Sequence, residues 1–151
     1  QHRNRSILEN AVLAEALTRL GYLMRDRGYL DLARRTLEAF AEDYRTYGYF
    51  VAGYARAVDL LFHPPLCVTV VGRRSDERTQ ALRLAALGSY VPSLVVQQFD
   101  PERDASLLGR SGCEARERPV AYVEIPRTSQ AAVEDPAELP AAMREIDAGR
   151  P

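Results

Sequence analysis

The chain reads as an α/β protein, with antiparallel helices over residues 1–64 packed with a small, mainly parallel three-stranded sheet flanked by helices over residues 65–151. Three observations predict this. Apolar residues ahead of residue 64 recur at helical spacing. Pro64-Pro65 then stops any helix, because a proline ring cannot continue the hydrogen-bond ladder. The run Leu66-Cys67-Val68-Thr69-Val70-Val71 that follows is almost wholly apolar and closes on Gly72, the pattern of a strand buried on both faces.

Ser6-Ile7-Leu8-Glu9 has the capping-box pattern, with the Ser6 hydroxyl accepting from the Glu9 amide and the Glu9 carboxylate reaching back, so the first helix starts there. From Leu8 to about Arg25 its apolar residues cover most of the circumference, which predicts packing on more than one side. Arg25-Asp26-Arg27-Gly28 reads as the turn of a helical hairpin, and Tyr29 to about Arg45 as an amphipathic second helix with Glu42 and Asp43 on its polar side. A third helix runs from about Tyr49 to Phe62 with Phe50, Tyr54, Ala57, Val58 and Leu61 on a stripe.

After the first strand, Ser75 or Asp76 caps a helix that runs to about Leu87 and ends at Gly88. Ser93 to Gln98 is the second strand, and this strand–helix–strand unit has the length a parallel crossover needs. A short helix around Ala105 to Leu108 precedes a polar loop. Pro119 to Ile125 is the third strand, and Asp135-Pro136 opens a final helix ending near Ile146.

A chain of 151 residues forms one domain or two small subdomains and buries roughly 70% of its unfolded surface without staples. A formal net charge of -1 argues against a nucleic-acid partner. All twenty basic residues are arginine, a bias of base composition or thermal adaptation. Cys67 and Cys113 form no Cys-x-x-Cys unit and read as one buried and one surface thiol, in keeping with a reducing cytoplasm. No apolar stretch reaches the ~18 residues of a membrane span. The chain begins without methionine directly ahead of a helix, as a piece of a longer protein would.

Motifs for chemistry are sparse. Gly72-Arg73-Arg74-Ser75, between strand and helix, is a place where free helix-start amides bind anions, so Gly72, Arg73 and Ser75 are candidate anion ligands. The only histidines, His2 and His63, have no metal-ligand spacing, and no serine sits in a nucleophile elbow. No catalytic residue, metal or cofactor is expected. Leu20-Gly21, Gly28, Ala33 and Leu37 partly fit a single tetratricopeptide unit, which leaves a protein-interaction module as an alternative.

Several stretches, in order, resemble the C-terminal part of the large thioredoxin-domain-containing proteins of the spermatogenesis-associated and bacterial YyaL type. They are Asn10 to Ala14 with Arg19-Leu20, Tyr29 to Phe40, Ala57-Val58-Asp59 before Pro64-Pro65, Val68 to Gly72, Tyr90 to Ser93 with Val95-Val96, and Ala121-Tyr122-Val123 followed by Thr128, Gln130 and Asp135-Pro136. The resemblance implies that the N-terminal helices are the remnant of a barrel of paired helices, similar to sugar epimerases and six-hairpin glycosidases, with a small α/β element attached. The family's thioredoxin-like domain and its redox cysteines would lie outside this chain. Any cavity role carried over falls on Asn10, with Glu9 in place of the family's glycine, and the family's late cysteine pair is replaced by Glu124 and Ser129. The expected function is therefore a structural or binding region without a complete active site, partnered by the rest of its parent and self-associating through uncovered apolar helix faces. A carbohydrate-acting barrel enzyme using Asn10 is the alternative.

Overall fold

The computed structural model describes residues 6–42, 44–126 and 128–149; His2 and Asp43 lie outside them. The chain divides into two compact units, Gln1–Pro64 and Pro65–Pro151.

The first unit holds helices α1 (Ile7–Met24), α2 (Arg27–Glu38) and α3 (Val51–Phe62), with a 3₁₀ segment over Tyr44–Phe50. Ser6 caps α1 by accepting the Glu9 N–H at 3.3 Å. The hairpin turn is tighter than the sequence suggests, since Arg25 adopts the left-handed conformation and Asp26 already caps α2 by accepting the Gly28 N–H at 2.8 Å. Ala11, Ala14, Ala33 and Ala57 are buried, and their small side chains let the three helices approach closely around Leu37.

The second helix is shorter than the expected Tyr29 to Arg45. Its apolar period continues, but Phe40 leaves the helix to pack edge-on against Tyr47 (5.9 Å) and Tyr54 (6.4 Å), and the Tyr54 hydroxyl donates to Leu37 O at 3.1 Å. Aromatic burial and a satisfied helix-end carbonyl together outweigh another helical turn.

The second unit is a four-stranded mixed sheet, not the three-stranded, mainly parallel one expected. Its elements are β1 (Cys67–Val71), α4 (Glu77–Gly88), β2 (Val95–Phe99), α5 (Ala105–Ser111), β3 (Val120–Ile125), β4 (Ser129–Val133) and α6 (Leu139–Ala148), with strand order β2-β1-β3-β4. Only β1 and β2 are parallel; β3 runs antiparallel to both β1 and β4. Strand β4 escapes a reading by propensity because Ser129-Gln130-Ala131-Ala132 lacks β-branched residues. Its register on β3, with Ala131 opposite Val123 and Val133 opposite Ala121, places small side chains where the sheet is covered.

One sheet face carries α4 and α6, whose Leu82, Leu139 and Met143 pack on Val68, Val70 and Val123. On the other face, Leu108 of α5 and Cys113 pack on Val71, Val120 and Tyr122. Cys113 is thus buried, not the surface thiol expected, because its loop folds back under the sheet with the Cys113 N–H donating to Ser111 Oγ at 3.1 Å. The final helix begins at Leu139, later than Asp135-Pro136, because the Asp135 carboxylate takes the Ala137 N–H at 2.9 Å and holds a turn ahead of it.

Candidate functional site

In an open α/β sheet, ligands bind beyond the carboxyl ends of parallel strands, where successive connections leave on opposite faces. Here α4 leaves β1 on one face and α5 leaves β2 on the other. A cleft of about 380 Å³ lies at that point, lined among others by Gly72, Arg73, Asp76, Glu102, Arg116 and Pro119.

Gly72 ties the strand ends together, its N–H donating to Phe99 O at 3.0 Å. It has no room for a side chain, since a Cβ there would collide with Thr79 Oγ1 and come within 3.0 Å of Pro119 Cβ. Beneath the turn, the Thr79 hydroxyl is fully buried and has no hydrogen-bond partner.

At the turn and the start of α4, where Gly72, Arg73 and Ser75 were candidates for anion binding, the N–H groups of Arg74, Arg78 and Thr79 already face carboxylates of the chain itself. Asp76, not Ser75, caps α4, accepting the N–H groups of Arg78 (2.7 Å) and Thr79 (3.4 Å). Asp100, at the end of β2, accepts the Arg74 N–H at 3.1 Å. Ser75 is exposed. The Arg73 guanidinium pairs with Glu102, and Arg74 donates to Asp104 Oδ2 at 3.3 Å. Arg116 pairs with Glu134 at 3.3 Å, and this hydrogen bond, with Tyr122 beside it, raises the guanidinium above its ordinary pKa. Both guanidiniums that line the cleft are thus neutralised, so a phosphate finds no uncompensated positive charge there.

The acidic run Asp100, Glu102 and Asp104 read only as a polar loop in the sequence, yet it organises this end of the unit. The N–H of Arg74 foremost, then those of Glu102 and Arg103, hold the Asp100 carboxyl below its ordinary range, against a burial that pushes the other way. Asp104 Oδ2 in turn accepts the Asp100 N–H at 2.9 Å. The readable signal was position alone, an acidic stretch directly after a strand.

The other candidates are not assembled into a site. Asn10 donates its side-chain amide to Ser6 O at 2.8 Å within its own helix start, and Glu9 beside it is exposed. On the same helix, Glu15 pairs with Arg19 (3.2 Å) and with Arg56 of α3 (2.8 Å). His63 meets Asp59 at 2.8 Å on an exposed helix end. Cys67 and Cys113 are both buried and not joined in a disulfide, and Cys113 packs in the cluster with Val71, Leu108 and Val120. Among the described residues, no group of three or more His, Cys, Asp or Glu could hold a metal ion, and no helix is long and apolar enough to cross a membrane. Compared with protein-family models, curated proteins and solved structures, the chain matches none.

Proposed function

We propose that this chain is the C-terminal structural and binding region of a thioredoxin-domain-containing multidomain protein and carries no complete active site. The resemblance implies a small α/β element after the barrel helices, and the second unit, β-α-β-α-β-β-α with strands arranged β2-β1-β3-β4 and following a helical first unit, supports this reading. One observation carries the functional half. Thiol exchange in a strand–helix–strand unit uses a Cys-x-x-Cys pair at the start of the helix, and at the start of α4 this chain has Asp76-Glu77-Arg78-Thr79. A carboxylate at the cap and a buried hydroxyl three residues on can form neither a thiolate nor a disulfide. The unit on this reading binds without exchanging thiols.

The first unit fits the same parentage. Helix α1 exposes Leu8, Val12, Leu13 and Met24, side chains that further helices of a parent barrel would cover. In their absence the chain self-associates.

Insulin reduction by dithiothreitol tests the binding-only reading. The chain leaves the rate of insulin precipitation unchanged, whereas D76C combined with T79C forms a 76–79 disulfide and accelerates it. Acceleration by the unmodified chain overturns the reading. Light scattering tests the second part: L13E with V12E converts a concentration-dependent oligomer into a monomer, and an unmodified chain that stays monomeric at high concentration counts against it.

A further inference from the structure

Strand β2 is an edge of the sheet, and its backbone polar groups divide by the two-residue period of a strand. The Val95 N–H donates to Leu66 O at 2.9 Å, and Phe99 O accepts from Gly72 N at 3.0 Å, so residues 95 and 99 face β1. In a parallel pair each residue turns both its N–H and its C=O to the same side, which leaves those of Val96 and Gln98 pointing away from β1. Among the described residues no strand covers them.

The side chains of Val96 and Gln98 line a groove of about 400 Å³ beside this edge. Its opposite wall is Gln80, Arg83 and Leu87, three and four residues apart along α4. The charge of its lining gives the groove a chemical preference. The lining holds the guanidiniums of Arg74 and Arg83 and no carboxylate. Asp104 takes Arg74, whereas among the described residues Arg83 donates only to Gln80 Oε1 at 3.3 Å.

We infer that the β2 edge takes up an extended acidic peptide as a fifth strand. The peptide backbone pairs with the outward N–H and C=O groups of Val96 and Gln98. A peptide carboxylate meets Arg83. The groove shares no lining residue with the cleft at the strand ends, so this inference stands apart from the thiol-exchange question.

The test uses a short capped peptide alternating threonine and valine around a central glutamate, a central-glutamine counterpart, and amide spectra of the full chain. With the glutamate peptide, the Val96 and Gln98 amides shift and gain protection from hydrogen exchange, while Gln97 and Phe99, already bonded inward, do not. The glutamine peptide binds about tenfold more weakly, and R83Q erases that difference. V96P removes one outward N–H while leaving the inward bonds, a change that edge strands accommodate; it keeps the amide spectrum elsewhere and abolishes binding. Equal binding to V96P, or peptide shifts confined to other elements, overturns the inference. So does protection of Val96 and Gln98 that rises with protein concentration without peptide, because a second copy then occupies the edge.

Discussion

The carboxylate of Asp100 accepts the backbone N–H of Arg74 at 3.1 Å, joining the end of β2 to the turn that leaves β1. Through this bond the protein supplies its own anion at the place where an α/β fold would bind a foreign one. The bond stabilises the charged carboxylate, so the folded-state pKa lies below the unfolded value of about 3.9. Its contribution is complete above that value and is lost as pH falls through the lowered folded value. D100N therefore lowers the urea midpoint at pH 7, and the gap from the unmodified chain narrows as the pH is taken below about 3.9. A gap independent of pH would mean that the charge contributes nothing.

Gly72 and Thr79 form a second coupled pair. G72A forces a methyl group against Thr79 Oγ1 and Pro119, and destabilises the second unit by roughly 1–3 kcal/mol. T79V removes a buried hydroxyl without a partner and is neutral or stabilising by about 1 kcal/mol. Combining G72A with T79A recovers part of the loss, which a double-mutant cycle in urea measures.

In the first unit, Phe40 is buried between Tyr47 and Tyr54, and F40A lowers stability by about 3–5 kcal/mol. Y54F removes only the bond to Leu37 O and costs about 1 kcal/mol. Burial first, then the neighbouring Tyr44, raises the Tyr54 pKa. Stability from this group is accordingly complete below the unfolded value of about 10 and falls as pH rises above it. Thermal melts across that range show a smaller alkaline loss in Y54F.

Both thiols lie inside the second unit. Native protein reacts with a thiol-specific disulfide reagent only as fast as it opens, and both cysteines react at once in denaturant. A thiol that reacts rapidly in the native state would contradict the burial of Cys113.

The helices with local start and stop signals, and the strand whose apolar run admits no other reading, are legible in the amino-acid sequence. Ser6, Pro64-Pro65 and the stretch from Leu66 to Gly72 act within a few residues of themselves, so their meaning is independent of what packs against them. The break between the two units falls at that same pair of prolines. Strand β4 and the early end of α2 were not legible, because pairing with Val123 and the packing of Phe40 on Tyr54 join residues distant along the chain. The candidate site divides in the same way. Gly72 announced a turn after a strand, but only the tertiary structure brought Asp100 within hydrogen-bond reach of Arg74, 26 positions away. That contact decides whether the turn amide of Arg74 is open to a ligand or already occupied, and it depends on the parallel pairing of β1 with β2.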